Sequence, residues 1–408
     1  MAAGERNAST PGAATAAGPI GRFEFATAGR VIFGVGTSAE LPALAMGLGR
    51  RILVVTGSDP GRHAALLESL RAAAEVCETF CVSGEPTVDL AEAGAERARA
   101  LGVSVVVALG GGSALDAGKA IAALAVNPSP ALNYLEVVGR GQPLPHGALP
   151  CIAVPTTAGT GAEVTRNAVL AVPHAQVKVS LRHAAMMPRI AVVDPALAVG
   201  LPAAVTATTG MDALTQLIEA FLCCRANPFV DALCRDGIGH VAGALPRACQ
   251  QPDDLAARSD LALGAFYSGI ALANAGLGAV HGFAAPIGGG FPAPHGAVCA
   301  ALLPHVLRTN LGAMRGREPA HPALGRMAEL GRLLTGRTDA GADDAVAACA
   351  DLAGRLGIPA LRQWGLDTPA IPDLVEKAAA ASSMKANPLP LTREELAGIL
   401  RDALASGP

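Results

Sequence analysis

VSVVVALGGGSALDAGKAIAALA, residues 103–125, is the stretch that decides how the chain folds. Val103 to Leu109 form an apolar, β-branched run that reads as a buried parallel strand, and the residues after Ser113 have the small and apolar character of a helix. Gly110, Gly111 and Gly112 join the two. Glycines at such a turn let backbone N–H groups come close to a phosphate, and the helix N-terminus adds partial positive charge. Strand, turn and helix together therefore make a cradle for a diphosphate. The same glycines would also serve a plain tight turn between strand and helix.

The pattern extends outward. Arg51–Thr56 (RILVVT), Cys151–Pro155 (CIAVP) and Ile190–Val193 (IAVV) are further β-branched runs, with helical patterns at Ala64–Val76 and Leu90–Leu101. This alternation, from Phe23 to about Gly200, predicts a parallel α/β sheet with helices on both faces. Ligands of such sheets bind at the carboxyl ends of strands, where Gly110–Ser113 lies. Beyond Leu201-Pro202 the β-branched runs stop. Ala/Leu-rich amphipathic segments at 203–223, 228–249, 254–276, 322–335, 342–356, 370–381 and 392–405 predict an all-helical domain. The expected organisation is a disordered tail over 1–20, an α/β dinucleotide-binding domain over 21–200 and a helical metal and substrate domain over 201–408.

Composition narrows the classes. A 408-residue chain is long enough for two domains, and its net charge of −3, with one Trp and two Tyr, argues against a nucleic-acid binder. No stretch is apolar for long enough to predict a membrane span, and residues 1–20 lack the apolar core of a signal peptide. The nine cysteines are scattered; Cys77 and Cys81, and Cys223 and Cys224, are the close sets, and neither has zinc-site spacing with partners. An odd count in an enzyme-sized chain reads as reduced thiols in a cytoplasmic protein.

Chemistry concentrates in the helical half. Asp212 and Gln216 are four apart in GMDALTQLIE, so on a helix they share one face and can point at one atom. An Asp near a helix start can equally be a cap. His281 follows the Gly/Ala-rich ANAGLGAV, and His295 follows what reads as a loop at Gly288-Gly289-Gly290. Two imidazoles and a carboxylate in glycine-lined segments of an apolar domain suit a divalent first-row metal. Glu219, seven residues after Asp212, could support this group or belong to a helix–helix contact.

At this point the chain resembles the iron-containing (group III) alcohol dehydrogenase family, over nearly all of its length from about Phe23. The matching segments are GGGSALDAGKA (110–120), PTTAGTGAEVTRNAVL (155–170), KVSLRH (178–183), VVDPAL (192–197), LPAAVTATTGMDAL (201–214), VHGFAAPIGG (280–289), PHG (294–296) and NPLPLTREEL (387–396). The resemblance implies a dehydroquinate synthase-like fold with the active site between its two domains. It implies that Gly110, Gly111, Gly112 and Ser113 hold the cofactor diphosphate, that Asp116, Thr156, Thr157 and Thr160 line the nucleotide site, and that Lys178 lies near the nicotinamide ribose. The family's metal is held by an Asp, a His four residues later and two further His. These carry over as Asp212, His281 and His295, the implied catalytic residues, but Gln216 stands at the second ligand position. A further family His beside the nicotinamide is Ala285 here.

An amide oxygen is neutral like imidazole but a harder, weaker donor. With Gln216 as a ligand, iron (the family's metal), manganese or magnesium would suffer less than zinc. The implied reaction is hydride transfer between NAD or NADP and an alcohol, aldehyde or ketone, assisted by the metal. In NAD-preferring relatives an Asp directly follows the first strand's Thr. Gly57 and Ser58 stand there in this chain, with Asp59 later, which tilts the expectation to NADP. The expected partner is a small alcohol or aldehyde, with no nucleic acid and no membrane, in a homodimer or larger homo-oligomer. Two other readings are a metal-free reductase like the maleylacetate reductases and a non-catalytic NAD(P)-binding relic.

Overall fold

A computed structural model describes residues 21–175 and 177–405, so the expected tail over 1–20 lies outside the described residues. The strands are β1 Val31–Phe33, β2 Arg51–Thr56, β3 Val76–Cys81, β4 Val105–Gly110, β5 Cys151–Pro155, β6 Asn167–Val172, β7 Val177–Arg182 and β8 Ile190–Val193. Six of them form one sheet in the order β1-β8-β5-β4-β2-β3, with all neighbouring pairs parallel. The helices α1 Leu41–Met46, α2 Ala64–Ala73, α3 Val88–Ala100 and α4 Gly112–Leu124 cover it.

The period-two rule of a strand divides the sheet residues between two cores. Ile52, Val54, Val105, Val107 and Leu109 pack with Leu41 and Ala45 of α1 and Leu67 and Leu70 of α2. Leu53, Val55, Val106 and Ala108 point the other way, against Ala98 of α3 and Leu115, Ala117 and Ile121 of α4. Helices thus lie on both faces, which is why the central strands are apolar without alternation. Gly118 lets α4 sit directly on β4, because a Cβ there would lie 2.5 Å from that of Ala108.

Three features of the α/β half depart from the pattern read in the sequence. Residues 74–76 are not helical; α2 stops at Ala73 and β3 begins at Val76, an edge strand of half-buried residues whose Glu78 and Thr79 mask a strand signal. The edge strand β1, only three residues long, likewise lies outside that pattern. Outside the main sheet, β6 and β7 form an antiparallel hairpin whose Ala168, Leu170, Val179 and Leu181 pack on α3 and α4. Fully buried Lys119 ties this hairpin's approach to α4: its Nζ is 3.0 Å from Asp116 Oδ1 and donates to Ala162 O (2.9 Å) and Thr165 Oγ1 (3.0 Å).

From Ala203 to Ala405 every described element is helical: α5 Ala203–Leu222, α6 Pro228–Gln250, α7 Leu255–Asn274, α8 Ala279–Gly290, α9 His295–Arg317, α10 Ala323–Thr335, α11 Ala342–Arg355, α12 Ile371–Ala380 and α13 Arg393–Ala405, with short 3₁₀ turns between some of them. The central helix is α5, buried almost continuously from Met211 to Leu222 against α6, α7 and α9. Among the described residues no single helix is long and apolar enough to cross a membrane.

Glu163, in the turn Ala162–Val164 after β5, is 2% exposed. Burial pushes its carboxyl up to about 7 against the opposing pull of its own backbone N–H and of Lys119. The unfolded carboxyl ionises near its ordinary value, so the stabilisation is full below that value and is lost as pH rises through about 7. The loss is on the order of 3 kcal/mol. Glu163→Gln keeps the uncharged shape, so its thermal midpoint relative to the parent should rise between pH 5 and pH 8. An unchanged difference at the two pH values would show that Glu163 is ionised in the folded protein.

Candidate metal and cofactor site

The strand, turn and helix expected around 110–113 form at the carboxyl end of β4, at the middle of the sheet. Gly111 is the residue before α4 and no side chain caps that helix start. The loop after β5 closes one side. A Cβ on Gly111 would lie 3.3 Å from Thr157 Oγ1, and one on Gly112 would lie 2.7 Å from Thr160 Cγ2. On the other side the end of β2 approaches, with Gly57 N 3.3 Å from a Cβ on Gly110. Gly57 itself faces open space, Ser58 is exposed, and Asp59 Oδ1 is taken by Gly61 N–H at 3.1 Å, capping the turn at Pro60–His63.

The other expected nucleotide residues divide. Thr156, Thr157 and Thr160 lie on the loop beside the cradle. Lys178, on β7, reaches α8 at Gly288 and pairs with Glu85 at 3.1 Å. Asp116 is one turn inside α4; its Oδ2 accepts Val169 N–H at 2.9 Å and its Oδ1 faces Lys119, so this carboxylate holds the hairpin to the helix.

The same loop reaches the helical half. Gly159 packs on Thr209 of α5, and Gly161, in the left-handed region at φ 60°, lies backbone to backbone against Gly269 of α7, with no room for a side chain on either. Ser268 Oγ stands 3.3 Å from Gly159 O and 3.0 Å from Gln216 Oε1. The loop after β5 therefore touches α5 within a turn of Asp212.

Asp212 lies at the middle of α5, not at its start, so a capping role is excluded. It is 2% exposed, and around it converge His281 Nε2 at 3.3 Å and His295 Nε2 at 3.6 Å. A residue not singled out from the sequence completes the group. Cys299 Sγ lies 3.7 Å from each of those two Nε2 atoms. One donor atom from each of Asp212, His281, His295 and Cys299 lies within 4.8 Å of all the others.

Local sequence explains the convergence. The stretches around His281 and His295 are helices α8 and α9, not loops, and Gly288–Gly290 is the end of α8. His295 opens α9, and Gly296 behind it brings α9 onto α5, since a Cβ there would run into Thr208 O. Gly278, just before α8, has the same function toward Glu219 and Asn387. Glu219, two turns along α5 from Asp212, accepts Val280 N–H at 2.7 Å and pairs through Oε2 with His281 Nδ1 at 2.6 Å. Its carboxylate sits at the N-terminus of α8 and turns His281 Nε2 toward the cluster, as outer carboxylates do for metal-binding imidazoles. Asn387, from the NPLP motif, accepts Ala279 N–H at 3.1 Å and anchors the same helix start.

Anionic groups dominate the electrostatics of the cluster. Burial penalises the imidazolium of His281, but Cys299, Asp212 and Glu219 together raise it well above its ordinary value. His295 moves the same way, to about 9, with burial opposing and Cys299 and Asp212 prevailing. Burial would raise the Asp212 carboxyl, but His295 and His281 hold it below the usual range. Asp212 Oδ1 is buried outside conventional hydrogen-bond geometry, with the two imidazole nitrogens facing it at 3.3 and 3.6 Å. A buried carboxylate oxygen among imidazole and thiol donors is chemically suited to a divalent cation.

Comparison with known proteins places this arrangement. Residues 28–195 match the family model described as iron-containing alcohol dehydrogenase, and residues 206–404 match that of the Fe-containing alcohol dehydrogenase family, C-terminal. A probable alcohol dehydrogenase EutG of Escherichia coli is 36% identical over 321 residues, 78% of this chain and 78% of the relative. A 1,3-propanediol dehydrogenase of Klebsiella pneumoniae is 38% identical over 302 residues, 73% of this chain and 76% of its own. A solved 1,3-propanediol oxidoreductase superimposes with a TM-score of 0.84 at 32% identity, covering 94% of this chain and all of its own. Membership implies a nicotinamide cofactor and a divalent metal, for which the cluster is a possible site. The chain belongs to the iron-containing alcohol dehydrogenase family and is an oxidoreductase acting on CH–OH groups.

Proposed function

We propose that this enzyme interconverts small aliphatic alcohols and their aldehydes or ketones, that it uses NADP(H) at least as well as NAD(H), and that a divalent metal in the Asp212 cluster assists. The observation that carries the reading is the buried Asp212 Oδ1 among ligating side chains on the helix that the loop after β5 touches. A bound dication supplies Lewis acidity toward the substrate oxygen, and the nicotinamide supplies or accepts the hydride.

The protein's part is holding and orienting. Asp212, His281 and His295 would hold the ion, with Glu219 fixing the ring of His281. Gly110, Gly111, Gly112 and Ser113 would receive the diphosphate on backbone N–H groups, with Thr156, Thr157 and Thr160 beside them. Ala285 and Gly288 lie on one half-exposed face of α8, where Lys178 arrives. Ala285 has no ionisable group to relay a proton, so Lys178 would hold the nicotinamide ribose on this face and leave proton exchange to that ribose and water. The nine free cysteines suit a reducing compartment.

The nucleotide preference follows from Gly57. No carboxylate projects from that position to repel a 2′-phosphate, and Asp59 is already engaged as a cap. Rates of aldehyde reduction with NADPH and with NADH should show kcat/KM for NADPH equal or higher. Gly57→Asp, which has open space for its side chain, should shift the ratio toward NADH by about tenfold or more, a difference of only about 1.4 kcal/mol. A strong NADH preference in the parent enzyme would overturn this reading of the strand end.

A further inference from the structure

We propose that Cys299 is the fourth ligand of the metal centre, bound through its sulfur as a thiolate, and that Gln216 is not a ligand. The inference rests on the divalent-metal reading above and names the donor set of that site.

Cys299 and His295 are four residues apart on α9, so one face of that helix presents both to α5. The sulfur is fully buried, and its two short contacts are to the imidazole nitrogens that face Asp212. Distances between donors have the scale of a tetrahedron. Ligand bonds of about 2.0–2.2 Å for nitrogen and oxygen and about 2.3 Å for sulfur set edges of about 3.4 Å between N and O and about 3.6 Å between N and S. The corresponding separations here are 3.3 and 3.6 Å from Asp212 Oδ1 to the two imidazoles, and 3.7 Å from the sulfur to each.

The second observation is Asp212 Oδ1 itself, a buried corner of this set that faces both imidazoles outside conventional hydrogen-bond geometry. Gln216, by contrast, already has a partner: its Oε1 is 3.0 Å from Ser268 Oγ, on the side where α7 meets the nucleotide loop. Gln216 is thereby assigned to joining α5 to α7.

A thiolate changes the chemistry of the site. One carboxylate and one thiolate neutralise a dication, where a carboxylate with three neutral donors would leave one positive charge. Thiolate also favours zinc and ferrous iron over magnesium and manganese, the reverse of what an amide oxygen would do.

The test uses the full chain, stripped of metal and reloaded with zinc. X-ray absorption at the zinc edge should show one sulfur near about 2.3 Å beside nitrogen and oxygen ligands near about 2.0–2.1 Å. Cys299→Ser should remove the sulfur shell and weaken zinc, in competition with a chelator, by more than about 100-fold, beyond what loss of a supporting outer group costs. Gln216→Ala should keep the sulfur shell and weaken zinc by about tenfold or less. Zinc bound in the parent protein without a sulfur neighbour overturns the assignment and leaves the metal reading standing. Failure of the parent protein to take up zinc overturns both. The parent spectrum decides even where Cys299→Ser does not fold.

Discussion

Asp212→Asn should lower kcat/KM for aldehyde reduction by about 10³ or more while leaving NADPH binding within about threefold. The substitution keeps the shape of a fully packed position on α5 and removes its charge. Asp212 is the carboxylate that His281 and His295 both face, so without it the cluster loses the anion that best offsets a dication. Lewis-acid assistance amounts to several kcal/mol of transition-state stabilisation, and 10³ in rate is about 4 kcal/mol. The cradle at Gly110–Ser113 lies on another element and does not depend on Asp212, which separates the two effects. Steady-state rates with a fluorescence titration of NADPH and metal analysis of the same preparation measure all three. A variant that keeps both its metal and its rate would remove Asp212 from the site.

Gly111→Val is the complementary change. Gly111 has φ −75°, a backbone angle any residue adopts, so the loss should come from the side chain and not from strain. A Cβ there already lies 3.3 Å from Thr157 Oγ1, and the two methyl groups of Val would fill the space between the turn and the nucleotide loop. Affinity for NADPH should fall by about 100-fold or more, a loss of about 2.7 kcal/mol, with little change in thermal midpoint. Unchanged affinity would mean that the glycines serve only the turn.

How far these sites could be read in the sequence follows local pattern strength. The strands at 51–56, 151–155 and 190–193 were legible because their β-branched runs are buried on both faces, and that burial leaves an uninterrupted apolar signature. Val76–Cys81 escaped because an edge strand with Glu78 and Thr79 has no such run. Helices α8 and α9 escaped for a different reason. Pro286, Gly288, Gly289, Gly290, Pro294 and Gly296 argue locally against helix, yet Gly278 and Gly296 are small because neighbouring backbone and side chains pass too close for a Cβ. Tertiary packing overrides propensity there.

Cys299 is the member of the cluster that sequence reasoning missed. A lone cysteine ordinarily reads as packing, and the i, i+4 relation that brought Asp212 and Gln216 together applies equally to His295 and Cys299 only once residues 295–317 are known to be helical. Glu219 stood open between two roles, and its 2.6 Å contact with His281 Nδ1 assigns it to orienting that imidazole.

The most direct test is reductase activity with NADPH after exhaustive chelation of the parent enzyme, then after return of one equivalent of ferrous iron or zinc. Activity should fall to a few per cent of its starting value on chelation and return with the metal. His281→Ala should be inactive under both conditions. Activity that survives chelation and is untouched by His281→Ala would contradict a metal-assisted mechanism, and would turn the Asp212 cluster into a structural hydrogen-bonding group beside a metal-free reductase site.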